Sequence, residues 1–415
     1  MRSTWVSGGL AMLVAAASTL ASAAGGPAQA AGATAPRPEA LPRGRDPGRG
    51  AWRLVAPEKL AAECKLDLAA LKRAEATIGA PFAVVRYGKL CYEYYPSGRD
   101  ASTHVFSASK TLGALAVGAA IQQSKPIPVT SVRKQGPLQE FQRIDHWLDD
   151  FAFHRDATVA HVLGSVAAAS ADLTYPNREW RYDTRGLEAL NRMSDVINLV
   201  VAQDRPRLGN NIGEFWTRHF AAPLGLENST WGDSNDTKIF GYSWNATVRD
   251  MARVGLLMLN GGVWNGERII DEQFLYDLSH PAFEDGNPIY GYLAWLNGPD
   301  DCAPKPVHRR YPHGPVSGAP DCLDPAGCAQ THDDGVFAAS GARGQYIGVH
   351  RGLDMVLVVK DLGDPQKAKD GFVWAAIRPA VLAHDKVYAG DEAGFCKAYA
   401  RGDYAPDLRR WPGGR

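Results

Sequence analysis

The chain has 415 residues, 45% of them hydrophobic and 22% charged, with 43 Gly and 27 Pro. That is the composition of an ordinary globular protein and excludes wholesale disorder, a collagen-like repeat and a polytopic membrane protein. Lys plus Arg number 45 and Asp plus Glu number 45, so no field of one sign gathers nucleic acid or an anionic membrane surface, and neither is expected as a partner.

From the N-terminus, Arg2 precedes a small, apolar run from Trp5 to Leu20, and Ala21-Ser22-Ala23 and Ala28-Gln29-Ala30 follow as two small-residue cleavage sites. Residues 1–30 read as a secretory signal, since Ser3, Ser7, Ser18 and Ser22 interrupt the run too often for a good membrane span. Residues 31–50, rich in Pro, Gly and Arg without a period, read as a flexible linker. The expected location is therefore outside the cytoplasm, periplasmic or secreted, with no stable membrane insertion after cleavage.

Export bears on the six cysteines, Cys64, Cys91, Cys302, Cys322, Cys328 and Cys396. In an oxidising compartment an even number favours disulfides, and all six are candidates with the connectivity open. Cys302, Cys322 and Cys328 share one loop-like stretch where a local bridge is expected. A zinc site made with His308, His313 or His332 is the rival, but no C-x-x-C pair exists, and the expectation is no metal.

Residues 58–77 have the pattern of an amphipathic helix, and the following PFAVVRYGKLCYEYYPSG reads as two strands joined by a turn at Tyr87-Gly88-Lys89. A helix opens near Ser107. The middle of the chain is mainly helical: Leu187, Leu190, Ser194, Ile197 and Val201 recur at helical spacing, as do Met251, Val254, Gly255 and Met258. Thr247-x-x-Asp250 looks like a capping box. Strands return in GVFAAS, GQYIGVH and LDMVLVVK, and a last helix spans about Phe372 to His384. Strands at both ends with helices between predict an α+β fold: an antiparallel sheet from both termini, flanked by helices, with a mainly helical insert. The expected divisions are a domain over residues 51–400, its α/β part about 51–111 plus 334–400 and its insert about 112–333, then a tail over 401–415.

Chemistry enters at Ser107-x-x-Lys110 in VFSASKTLGALAVGAAI. At the start of a long apolar helix the two side chains lie on one face, one turn apart. Serine is a poor nucleophile at neutral pH and needs a base; a lysine desolvated by such a helix has a lowered pKa and can serve. In isolation the pattern is weak, because Ser is a common helix cap and Lys a common surface residue. Trp180, Trp244, Tyr290, Tyr292, Trp295 and Tyr346 are read as core or strand-pair residues rather than ligand contacts. His332-Asp333-Asp334 reads as a polar turn. No phosphate-cradling loop or dinucleotide fingerprint is present, so no cofactor is expected.

The succession from that helix through WRYDTRGLEALNRMSDVI, PLGLENSTW, SWNATVRDMARVGLLMLNGGVWNGERII and FAASGARGQYIGVHRGLDMVLVV resembles the serine β-lactamase and penicillin-binding superfamily. More narrowly it is similar to the class C β-lactamase-related serine hydrolases, which include esterases, D-amino-acid peptidases and 6-aminohexanoate oligomer hydrolases. The resemblance runs from about Pro81 to Val359. It implies Ser107 as the acylated nucleophile and Lys110 as its activating amine. The family's Tyr-x-Asn falls on Tyr182-Asp183-Thr184, with Tyr182 as proton carrier and Thr184 in place of Asn; a literal Tyr175-Pro176-Asn177 lies in a turn-prone stretch and aligns less well. The family's cationic third motif becomes Ala339-Ser340-Gly341, without the cation. The backbone N–H groups of Ser107 and Ala342 are the implied oxyanion hole, and Thr184, Gly341, Arg343 and Gln345 the implied substrate-binding residues. The expected activity is hydrolysis of a small ester, amide or short peptide-like substrate through an acyl-enzyme. A β-lactamase or D,D-peptidase, and a binding protein with a degenerate pocket, are the alternatives.

Overall fold

The computed structural model describes residues 46–150, 156–167, 180–232, 237–280, 282, 283, 287, 290–296, 322, 323, 329, 330, 336–350, 353–365, 367 and 372–382. The strands that matter for the site are β1 (Phe82–Arg86), β2 (Lys89–Tyr94), β3 (Thr103–His104), β4 (Thr230–Trp231), β5 (Trp244–Ala246), β6 (Trp295–Leu296), β7 (Val336–Gly341), β8 (Gln345–His350) and β9 (Met355–Val359). The helices are α1 (Leu68–Ile78), α2 (Ser109–Ser124), α3 (Thr184–Asn191), α4 (Met193–Ala202), α5 (Val248–Leu259) and α6 (Phe372–Ile377).

The main sheet runs β2-β1-β9-β8-β7-β6, every neighbour antiparallel. Its centre joins the two ends of the fold, Phe82 opposite Val359 and Arg86 opposite Met355, as the strand distribution in the sequence predicts. Period-two alternation sorts each strand between two buried faces. Ala83, Val85, Ile347, Val349, Val356 and Val358 join the core that holds α2 and α5. Phe82, Val84, Met355, Leu357 and Val359 join a second core with Leu71 and Ala74 of α1 and Trp374 of α6. Both faces being covered explains why these strands read as near-continuous apolar runs.

α2 is buried on all sides from Ser109 to Ile121, the expected state of a helix that is apolar all round. On α5, a Cβ at Gly255 would meet Val356 Cγ1 at 2.4 Å and Ile347 Cγ2 at 2.9 Å, so the missing side chain lets the helix lie directly on the sheet. Thr247 caps α5 through its hydroxyl, which accepts from Asp250 N at 3.1 Å. The reciprocal half of the expected capping box is not made: the Asp250 carboxylate instead accepts from Asn228 N and Ser229 Oγ.

Two sequence expectations are modified. The amphipathic stretch 58–77 is broken after Glu63, because Lys65 takes a left-handed conformation (φ 53°) and Asp67 opens a new helix by accepting from Ala70 N at 2.6 Å. The C-terminal helix is short, Phe372–Ile377 followed by one 3-10 turn. At the break, Cys64 is disulfide-bonded to Cys91 on β2, with the Cα atoms 6.1 Å apart. The other expected partners, Cys302, Cys328, Cys396 and the Cys322 side chain, lie outside the described residues, as do residues 1–45, Tyr175, His332 and the tail. Among the described residues no helix is long and apolar enough to cross a membrane.

Candidate active site

Ser107 sits where β3 hands the chain to α2. Phe106 makes the turn in a left-handed conformation (φ 51°), one 3-10 turn follows over Phe106–Ala108, and α2 begins. A bulky residue held there costs on the order of 1–3 kcal/mol, which the surroundings must offset. His104 helps: its Nδ1 accepts from Phe106 N at 3.2 Å and its ring meets the Phe106 ring edge-on at 4.5 Å.

The end of β7 closes on the same turn. A Cβ at Gly341 would stand 2.3 Å from Val105 O, 2.9 Å from Ala108 N and 3.2 Å from Ser107 N. Only glycine permits that approach, and it brings Ala342, the next residue, to the Ser107 turn at the head of the 3-10 turn Ala342–Gly344.

Lys110 follows on α2 one helical turn later. Its Nζ lies 2.9 Å from Ser107 Oγ and donates to Gly241 O at 2.9 Å. The residue is 5% exposed, and burial lowers its pKa to about 8, with no acidic neighbour to restore the charged form. The Tyr182 ring lies 4.5 Å from the same nitrogen. Burial raises the Tyr182 phenol pKa, and the neighbouring Ser107 side chain acts against that rise. Tyr182 is 37% exposed. Its backbone is fixed on both sides: Arg181 N donates to Ser165 O at 2.8 Å, and Asp183 caps α3 by accepting from Gly186 N at 3.0 Å.

The structure thus brings Ser107, Lys110, Tyr182 and Gly341 together. The remaining sequence-predicted residues divide. Arg343 is exposed in the middle of the 3-10 turn, left-handed (φ 61°), with its guanidinium 5.4 Å over the Phe106 ring. Thr184 is exposed at the first position of α3. Gln345 is fully buried and donates from Nε2 to Asp361 Oδ1 at 2.7 Å, so its amide braces the β7–β8 connection instead of facing a substrate. Among the described residues no cluster of His, Cys, Asp or Glu is placed to hold a metal.

Sequence reasoning misses the supports. The Gly241 carbonyl that receives Lys110 lies on a loop pinned by Phe240 N to Asn191 Oδ1 (3.0 Å) and Trp244 N to Ser109 Oγ (3.0 Å). Lys360, buried just after β9, donates to Ala101 O and Ala246 O and so ties together the segments that lead to β3 and α5. The signal for Lys360 was a lone cation ending a wholly apolar strand; a backbone carbonyl such as that of Gly241 leaves no signal.

No protein-family model and no curated protein sequence matches this chain. Solved structures do. One described as a "putative beta-lactamase from Bacteroides dorei DSM 17855" superposes with a TM-score of 0.52 at 14% identity, covering 77% of this chain and 100% of its own. A family VIII carboxylesterase gives a TM-score of 0.50 at 13% identity, covering 76% of this chain and 98% of its own. At such identities the likeness is one of fold, and it agrees with the sheet order: the chain has a β-lactamase-like fold.

Proposed function

We propose that the protein is a serine hydrolase that cleaves a carboxylic ester or amide through an acyl-enzyme on Ser107. The observation that carries the reading is the buried lysine, 2.9 Å from the serine oxygen with its pKa lowered to about 8. Near neutral pH a useful fraction of Lys110 is uncharged. In that form its lone pair accepts the Ser107 proton while an N–H still donates to Gly241 O. Ser107 Oγ then bonds to the substrate carbonyl carbon, and the oxygen, now negative, is held by the Ser107 and Ala342 N–H groups. The proton passes from Lys110 or Tyr182 to the leaving alcohol or amine, the bond to it breaks, and an ester to Ser107 remains. Water, deprotonated by the same pair, attacks that ester and releases the acid with the serine restored.

The third motif, Ser340-Gly341, carries no cation, and Thr184 replaces the family's Asn; both favour an esterase or amidase over efficient β-lactam or peptidoglycan cleavage. The leader-like residues 1–30 and the Cys64–Cys91 disulfide support an exported protein. Stopped-flow hydrolysis of p-nitrophenyl acetate tests the mechanism. Wild type is expected to give a burst of one p-nitrophenol per chain or steady turnover, Ser107→Ala neither, and Tyr182→Phe a loss of about a hundredfold or more. Turnover by Ser107→Ala at the wild-type rate would overturn the proposal.

A further inference from the structure

Four aromatic side chains meet beside the proposed proton carrier. Trp180 stacks on Tyr182 at 5.5 Å and 20°. Trp295 lies 5.6 Å from Tyr182 and 6.0 Å from Trp180. Tyr290 packs edge-on behind all three, at 6.3 Å from Tyr182, 5.3 Å from Trp180 and 5.0 Å from Trp295. Two chain segments far apart in sequence, one with Trp180 and Tyr182 and one with Tyr290 and Trp295, converge here, and the burial is graded. Tyr290 is 1% exposed at the base, Trp180 and Trp295 are half-buried, and Tyr182 is 37% exposed. The sequence reading grouped Trp180, Tyr290 and Trp295 with Trp244, Tyr292 and Tyr346 as core or strand-pair aromatics. The last three do lie elsewhere: Trp244 and Tyr292 are buried in the core, and Tyr346 bonds Trp374 on the far face of the sheet. Trp180 and Trp295 are different, because both are only half-buried and both pack against Tyr182. The Trp180 indole N–H is also buried without a hydrogen-bond partner among the described residues, a state that native side chains rarely keep.

We infer that this aromatic wall is the leaving-group subsite, and that the substrate is an ester or amide whose alcohol or amine carries an aromatic ring. The inference rests on the serine-hydrolase reading above and assigns its substrate class. The side follows from the proton path. The Tyr182 ring lies 4.5 Å from Lys110 Nζ, which is itself 2.9 Å from Ser107 Oγ, so an atom that takes a proton from Tyr182 must come within hydrogen-bond reach of its hydroxyl as it departs. The group attached to that atom then lies against the Tyr182 ring and the indoles beside it. An arene offered to Trp295 and Trp180 gains edge-to-face or offset contacts that an alkyl chain of similar size does not.

The test compares benzyl acetate with butyl acetate, whose alcohols have similar basicity and whose acetyl-enzyme is the same. Differences in kcat/KM therefore report the acylation step and the alcohol's contacts. Wild type should prefer the benzyl ester by about tenfold or more. Trp295→Ala and, independently, Trp180→Leu should erase most of that preference, read as the ratio of kcat/KM for the two esters. Equal losses on both esters in both variants, or an unchanged preference in both, would overturn the assignment of the wall. Ser107-dependent ester turnover, or acetylated Ser107 by intact mass, separates this from the reading beneath it. A flat ester preference with Ser107-dependent turnover overturns the wall alone. A wild-type chain that neither turns over the esters nor acquires the acetyl group overturns the hydrolase reading and the wall together.

Discussion

Lys110 shows most directly how much stability the proposed chemistry costs. Its ordinary pKa of 10.5 falls to about 8 because folding strips water from the ammonium. A folded-state pKa below the unfolded value means that the unfolded chain holds the proton more tightly, so stability rises with pH between about 8 and 10.5 and the full penalty applies below 8. That penalty is about 3 kcal/mol. Lys110→Met should remove it, lose about 1 kcal/mol by leaving the Gly241 carbonyl unpaired, and gain roughly 2 kcal/mol net at pH 7, with the gain fading toward pH 10. The same variant should lose activity, and wild-type kcat/KM should climb through pH 8 as the amine becomes a base. Urea unfolding at pH 7 and pH 10, with a pH–rate profile, checks both halves. A Lys110→Met chain less stable than wild type at pH 7 would contradict the burial argument. The Ser107–Lys110 pair was legible in the sequence because helical spacing alone puts the two on one face. Gly241 was not, since the lysine takes its second acceptor from a backbone carbonyl that any residue could present.

At the scale of elements, the site depends on β7 approaching the β3–α2 turn with no side chain between them. Gly341→Ala places a methyl 2.3 Å from Val105 O and 3.2 Å from Ser107 N. The strand or the turn must shift, and the proposed oxyanion donors shift with it. We expect kcat to fall by about a hundredfold or more, while overpacking costs about 1–3 kcal/mol of stability. Steady-state kinetics beside a denaturation curve separate the two effects, and a kcat within threefold of wild type would contradict the geometry. The strands themselves were readable from period-two and apolar runs, and their union in one antiparallel sheet followed from strands lying at both ends. The break of the first helix at Cys64–Asp67 was not, because residues 58–77 keep a helical apolar pattern across it. Tertiary demands, the disulfide and a left-handed Lys65, outweigh the local preference there.

For the whole molecule, the sheet is completed by strands from both ends of the fold, so closing it costs chain entropy that local constraints help to offset. The Cys64–Cys91 disulfide is such a constraint: it closes a 27-residue separation and ties the segment leading into α1 to β2. Replacing both cysteines by serine should lower the unfolding free energy by about 3–4 kcal/mol, and reductant should do the same to wild type but not to the variant; a change below 1 kcal/mol would contradict it. Cysteine parity pointed to bridges without saying which, because pairing is fixed by where β2 and the first helical segment meet in space. The fold class was legible for the opposite reason, being written in the order of strands and helices along the chain. The central claim, a nucleophilic Ser107, is tested most directly by intact-mass spectrometry after exposure to a fluorophosphonate. The account predicts one phosphonyl adduct per chain, located on Ser107 and lost in Ser107→Ala; an unmodified wild-type chain, or an adduct that survives in Ser107→Ala, would contradict it.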